Sequence, residues 1–229
     1  MSVELRQTAL ARGDRRSSLV FYRIVRRAVR TILHPWLRVQ AVNTEVLDRP
    51  GPTILAPVHR SHLDSALVAT QSKRRIRALG KESLFTTPGV SWVCAALGAI
   101  PVRRGQADRD ALAAARMLLD RGESMIVFPE GGRRSGSEVT ELFDGAAWLS
   151  ARTGAPVVPI GISGTEAALP EGARSLHRSR VGIVVGEPLA APVGPEGKRA
   201  SRADLKRFTE QLTDELQRLQ HEAEALTIE

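Results

Sequence analysis

A histidine and an aspartate follow an apolar run at a spacing that allows acid–base chemistry. His59 and Asp64 lie five positions apart, and on one continuous helix this spacing would point the two side chains about 140° away from each other. They can meet if residues 53–58 form a strand and a turn precedes a helix that opens at Asp64. The carboxylate would then accept the imidazole N–H and leave the other ring nitrogen free as a base. On spacing alone, an aspartate that caps a helix beside an unrelated surface histidine remains an open alternative.

Two clusters of cationic and small residues follow other apolar runs. Arg103 and Arg104 come directly after residues 100–102, and paired guanidinium groups at a strand end are suited to bidentate binding of phosphate. Residues 128–135 read Phe-Pro-Glu-Gly-Gly-Arg-Arg-Ser. The glycines of this segment allow close approach of the backbone to a ligand, and its charged side chains supply a hydrogen-bond acceptor and two cations. Each cluster alone is also typical of a solvated surface loop.

Two further kinds of site are considered around the histidine and are disfavoured. Ser61 lacks the Gly-x-Ser-x-Gly pattern that surrounds a serine nucleophile in many hydrolases. His59, His62 and Asp64 supply three clustered metal ligands without a clear distant fourth. We therefore predict neither a serine nucleophile nor a metal site.

The elements that must position these side chains alternate between strand and helix. Apolar runs bounded by glycine, proline or charge predict strands at residues 53–58, 75–79, 100–102, 124–128, 156–162 and 181–185. Helical periodicity predicts helices at residues 64–71, 90–97, 108–121 and 145–152, and a last helix that opens at Ser201 with Asp204 as its capping-box partner. This order predicts an α/β fold with a mixed, largely parallel sheet covered by helices, whose functional groups lie at strand ends.

The positive charge of the chain is concentrated near its start. The 229 residues include 33 basic and 25 acidic side chains, a net charge of +8, and residues 1–49 contain ten arginines against four acidic residues. Residues 16–36 have the pattern of an amphipathic helix that could lie at an anionic membrane surface. Packing of this helix on its own domain is the alternative. We divide the chain into a basic segment at residues 1–36 and a domain at residues 37–229.

Composition excludes several other classes of protein. Aromatic residues make up 4% of the chain and do not alternate with basic ones, which disfavours a nucleic-acid partner. One cysteine excludes an internal disulfide framework and favours an intracellular protein, and the first residues lack a secretion-signal pattern, so no cleaved leader is expected. Residues 83–102 carry no charge, but proline, glycine and hydroxyl side chains argue against a membrane span.

Four blocks of residues, in their order and spacing, resemble the glycerolipid acyltransferase family that includes 1-acylglycerol-3-phosphate acyltransferases. The matching residues are His59 and Asp64 in the first block; Gly98, Ile100, Pro101, Val102 and Arg104 in the second; Phe128, Pro129, Glu130, Gly131 and Arg133 in the third; and Val158, Pro159 and Ile160 in the fourth. The chain departs from the family pattern at four positions, which are Val58 for Asn, Arg103 for Asp, Gly132 for Thr and Arg134 for Ser. The departures leave the choice of acceptor open.

The resemblance implies acyl transfer from a thioester, acyl-CoA or acyl carrier protein, to the hydroxyl of 1-acylglycerol-3-phosphate, with no other cofactor. His59 would act as the base and Asp64 as its partner. Arg104 and Arg133 would hold the phosphate, with Gly131 beside them, and Glu130 would contact glycerol or orient an arginine. The expected location is the cytoplasmic face of the cell membrane. Another acceptor, such as glycerol-3-phosphate, another lysophospholipid or a glycolipid, or a non-catalytic module that binds anionic lipid, remains an alternative.

Overall fold

One sheet organises the chain. The structure, a computed structural model, describes residues 3–102, 109–173 and 175–228. Within them seven strands lie in the order β1-β7-β6-β2-β5-β3-β4. The strands are Val39–Val42 (β1), Ile54–Pro57 (β2), Ile76–Lys81 (β3), Ala99–Val102 (β4), Ser124–Ile126 (β5), Val157–Ser163 (β6) and Val181–Val185 (β7). Of the pairings between these described strands, only β6 with β7 is antiparallel. The predicted α/β fold with a mixed, largely parallel sheet is confirmed.

The helices connect and cover the strands. They are Val3–Gly13 (α1), Arg16–Ala28 (α2), His34–Trp36 (α3), Asp64–Gln71 (α4), Pro88–Ala96 (α5), Arg109–Asp120 (α6), Gly145–Thr153 (α7), Thr165–Ala168 (α8) and Arg202–Ile228 (α9). Short 3₁₀ turns occupy Thr44–Asp48, Glu82–Phe85 and Pro195–Gly197. The main core combines strand residues with the inward sides of α4, α6, α7 and α9.

The observed elements follow the predicted pattern with instructive exceptions. Helix α4 and strand β7 have the predicted bounds, and the predicted capping box forms, since the backbone N–H of Ser201 donates to Asp204 at 2.9 Å. Strand β1 is absent from the sequence-based prediction because it is short and largely exposed, and its partner β7 is distant in the chain. The helical pattern predicted over residues 16–36 contains a π-helical turn at Val29–Leu33, after which helical backbone continues through Trp36. In the described part of the chain, no helix is both long and apolar enough to cross a membrane.

The basic N-terminal segment packs against the start of β3. The Tyr22 hydroxyl accepts the backbone N–H of Ile76 at 3.2 Å, and burial raises the pKa of this tyrosine. Arg26 donates to the carbonyl of Ser72, and Asp14, in the turn between α1 and α2, accepts from the buried guanidinium of Arg77. These contacts hold one side of α2 against the body. The division of the chain at residue 36 stays a prediction.

The long helix α9 approaches the sheet at backbone distance. A Cβ atom built on Gly161 of β6 would lie 2.1 Å from the carbonyl oxygen of Leu219, and one on Gly182 of β7 would lie 2.1 Å from that of Ala223. Neither glycine has a positive φ, so space and not backbone conformation requires them. Helix α9 can therefore pack this closely on β6 and β7 because Gly161 and Gly182 have no side chain.

We expect Gly161→Ala to lower the free energy of unfolding by about 3 kcal/mol, because the new methyl group must displace the backbone of α9. Urea unfolding measures this loss. Gly145→Ala is the matched control, since a Cβ at that position meets no atom within 4 Å. Similar stability of both variants would contradict the close packing of α9.

Candidate active site

The candidate catalytic residues lie where two adjacent parallel strands end. His59 follows the last residue of β2 by two positions, and Glu130 follows the last residue of β5 by four. Strands β2 and β5 pair in parallel, so their carboxyl ends open at the same edge of the sheet. The structure therefore brings together two segments that are 71 positions apart in the chain.

The structure brings His59 and Asp64 together through the turn that their spacing requires. The imidazole Nδ1 lies 3.0 Å from Oδ2 of the fully buried Asp64. The same oxygen accepts the backbone N–H groups of Arg60 and Ser61, each at 2.7 Å. Because Nδ1 donates to the carboxylate, the neutral ring has its free lone pair on Nε2. The pair thus has the geometry of a base and its orienting partner, and its catalytic role stays a prediction.

The ring of Phe128 holds the imidazole from one side. The two ring centroids lie 3.8 Å apart with an angle of 19° between the planes. Phe128 precedes Glu130 in the same loop, so the third sequence block contacts the first through both a ring and a carboxylate. The orientation of His59 is therefore fixed by stacking as well as by Asp64.

Glu130 is buried and turned towards the backbone of His59. Its Oε2 accepts the His59 backbone N–H at 2.7 Å, and both of its oxygens lie 2.8 Å from Nη1 of Arg60. Its side chain has no exposed surface, and its expected contact with glycerol stays a prediction. The arginine that it orients is Arg60, which the sequence analysis did not single out. The sequence signals for this pair are an acid soon after an apolar strand and an arginine next to the histidine, and neither signal shows that the two side chains meet.

Gly131 uses its conformational freedom for packing inside the loop. It has φ of +67°, and a Cβ there would lie 2.6 Å from the ring of Phe143. Its N–H donates to the carbonyl of Phe128 at 3.1 Å. The glycine therefore shapes the turn that leads to Arg133, and its contact with substrate stays a prediction.

The structure describes one of the two predicted phosphate-binding arginines, Arg133. The guanidinium of Arg133 is partly exposed and pairs with the surface carboxylate of Glu171 at 3.0 Å. Arg104 and its neighbour Arg103 lie outside the described residues. Strand β4 directly precedes them in the sequence; it is an edge strand of the sheet and pairs with β3.

The structure describes the surroundings of the two disfavoured kinds of site near His59, a serine nucleophile and a metal site. The hydroxyl of Ser61 donates to the carbonyl of Leu169 at 3.3 Å, so it is directed at a loop carbonyl. Among the residues that the structure describes, no group of three or more histidine, cysteine, aspartate or glutamate side chains could hold a metal ion.

A cavity of about 540 Å³ lies beside the site, on the side of Arg60. His59 is not among its lining residues, whereas the carboxylates of Glu166 and Glu224 are. Two carboxylates at the wall disfavour a phosphate ligand. The lining of this cavity is therefore not that of the phosphate site expected near His59.

Comparisons with known proteins agree with the ordered sequence blocks. A family model described as Acyltransferase matches residues 38–163. A chloroplastic 1-acyl-sn-glycerol-3-phosphate acyltransferase of Arabidopsis thaliana is 27% identical over 161 residues, which are 69% of this chain and 45% of that protein. A 1-acyl-sn-glycerol-3-phosphate acyltransferase of Bacillus subtilis is 24% identical over 206 residues, 90% of this chain and 100% of its own length.

Among solved structures, that of the 1-acyl-sn-glycerophosphate acyltransferase from Thermotoga maritima is similar, with a TM-score of 0.69 and 26% identity. The similarity covers 86% of this chain and 79% of that one. Against the chloroplastic relatives, including one from Brassica napus, the chain spans less than half of the relative's length, 45% and 41%.

Proposed function

The chain belongs to the acyltransferase family, and from that premise we propose that it transfers an acyl group from a thioester to the free hydroxyl of 1-acylglycerol-3-phosphate, which yields phosphatidic acid. The observation that carries this proposal is the buried hydrogen bond of 3.0 Å between His59 Nδ1 and Asp64, since it leaves Nε2 as an available base. The relatives from Arabidopsis thaliana and Bacillus subtilis, named for this reaction, support the choice of acceptor.

In the proposed reaction, His59 Nε2 takes the proton of the acceptor hydroxyl as its oxygen attacks the thioester carbonyl. The new carbon–oxygen bond forms, the carbon–sulfur bond breaks, and the imidazolium returns the proton to the departing thiolate. Asp64 stabilises the imidazolium and holds the productive ring tautomer. No covalent acyl-enzyme is required, because the hydroxyl attacks the thioester directly.

The acceptor phosphate is proposed to bind Arg133, with Arg104 as its predicted companion. The guanidinium of Arg133 already donates to one carboxylate, that of Glu171, whose side chain is 84% exposed. An exposed ion pair contributes little free energy, so a dianionic phosphate can replace this carboxylate at small cost. Acyl-CoA and acyl carrier protein both present the thioester that the reaction needs.

An exposed apolar face on the N-terminal helices supports a membrane partner. Ile24 and Ile32 are 61% and 70% exposed, and Trp36 is half exposed beyond them. Arg23 and Arg27 are exposed on the same helical segment. Apolar side chains beside cationic ones suit the headgroup layer of an anionic bilayer. We therefore propose peripheral binding at the cytoplasmic face of the membrane, with the substrate cleft near the lipid surface.

The first prediction from this function concerns catalysis. We expect native protein to release free thiol from acyl-CoA or acyl carrier protein when 1-acylglycerol-3-phosphate is present, and we expect His59→Ala to lose at least about 100-fold of this rate. Thiol release followed with a chromogenic reagent, with phosphatidic acid as the second readout, measures both. Equal thiol release by native protein and variant would refute the enzyme and favour a lipid-binding module.

The second prediction concerns the acceptor. We expect Arg133→Gln to raise the KM for 1-acylglycerol-3-phosphate by about tenfold, because one charge-assisted contact to phosphate is lost. The KM for an uncharged monoacylglycerol should not change. Arg116→Gln, which alters an exposed pair with Asp120 on α6, is the control. A panel with glycerol-3-phosphate and other lysophospholipids identifies the acceptor, and an unchanged KM in Arg133→Gln would exclude this arginine from phosphate binding.

The third prediction concerns the membrane. We expect the double variant Ile24→Ser and Ile32→Ser to sediment with anionic vesicles at least about tenfold less well, since it removes apolar surface that would enter the headgroup layer. Both side chains are exposed, so the packing of α2 on the body remains. Val193→Ser, at a position 68% exposed between β7 and α9, is the control. Sedimentation equal to that of native protein would rule out this face.

A further inference from the structure

We infer that Arg60 is a positioning residue that holds the backbone of His59 in its reactive place. The guanidinium of Arg60 is nearly fully buried, with 3% of the side chain exposed. In the described structure its hydrogen-bond partners are a carboxylate and carbonyl oxygens. This inference rests on the proposed acyl transfer through His59.

Arg60 connects two segments of the site that are distant in the sequence. Its Nη1 donates to the carboxylate of Glu130, its Nε donates to the carbonyl of Gly136 at 2.7 Å, and its Nη2 donates to the carbonyl of Glu138 at 3.0 Å. Its own backbone N–H donates to Asp64. One side chain therefore links the His59 turn to the loop that contains Arg133.

The backbone of His59 is held at both of its polar groups by this arrangement. Its N–H donates to Glu130, and its carbonyl accepts the backbone N–H of Arg134 at 2.8 Å and Nη1 of Arg60 at 3.2 Å. The guanidinium pairs with the Glu130 carboxylate at 2.8 Å, and both side chains are nearly or fully buried. Without it, an uncompensated buried carboxylate would draw in water and move, and the peptide of His59 would move with it.

The planar fork of arginine is required for this role. Five N–H donors in fixed directions reach a carboxylate and carbonyls on different sides at once. A lysine ammonium can retain the ion pair with Glu130 but cannot reach both loop carbonyls. Substitution with lysine therefore separates the charge of Arg60 from its geometry.

The experiment compares Arg60→Met, Arg60→Lys and a matched control. Arg74 also donates to three backbone carbonyls, those of Arg49, Gly51 and Gly122. Gly51 and Gly122 precede β2 and β5, so Arg74 makes its bonds at the opposite end of the two strands that carry His59 and Glu130. Arg74→Met thus removes more exposed guanidinium–carbonyl hydrogen bonds beside the other ends of β2 and β5, away from His59.

We expect Arg60→Met to lower kcat by about 10- to 100-fold, as for a displaced catalytic group, while the KM for the acyl donor does not change. Arg60→Lys should recover part of kcat, and Arg74→Met should retain it. All variants are assayed below their unfolding transitions, measured by circular dichroism. Native kcat in folded Arg60→Met, or an equal loss in Arg74→Met, would overturn the inference.

A measurement without substrate separates this inference from the proposed function. The downfield proton resonance of the hydrogen-bonded His59 Nδ1–H reports its contact with Asp64. We expect this resonance to broaden or shift in Arg60→Met and to stay in place in Arg74→Met. If Arg60→Met does not fold, Arg60→Lys decides, and a failure of Arg60→Lys to fold would assign Arg60 to stability and overturn the inference. Absence of thiol release by native protein would instead refute the acyl transfer.

Discussion

The site depends on a single buried oxygen atom. Oδ2 of Asp64 accepts one imidazole N–H and two backbone N–H groups, all within 3.0 Å. A carboxylate without solvent exposure is costly unless donors surround it, so the turn from His59 to Ser61 must wrap around this oxygen when the chain folds. The interaction that orients the imidazole therefore also shapes the backbone that carries it.

A second buried carboxylate extends this constraint across the sheet. Glu130 comes from the end of β5 and holds the peptide of His59 at the end of β2. Parallel pairing of β2 with β5 places these ends side by side, and Arg60 neutralises the charge between them. The base and the loop with the candidate phosphate-binding arginine are thus held as one unit, which suits a reaction that needs the acceptor hydroxyl within hydrogen-bond distance of the imidazole.

The N-terminal helices show how one element can serve both packing and surface. Tyr22 and Arg26 hold α2 against the start of β3, whereas Ile24, between them in the sequence, faces outward. Some hydrophobic side chains of the segment, such as Ile24 and Ile32, do not pack against the body. These side chains form the exposed face for which we propose a lipid surface.

Sequence alone determined the types and order of strands β2 to β7 and of helices α4 to α7 and α9, the ordered blocks around His59, Glu130 and Arg133, and the capping box at Ser201. These features depend on local periodicity, turn residues and short spacings, which can be read directly from the sequence. Only the tertiary structure decided that Glu130 turns inward to Arg60, that Gly131 makes room for Phe143 and that β1 joins β7. Each of these outcomes depends on partners far apart in the sequence, because burial and the need to pair buried polar groups are properties of the assembled fold.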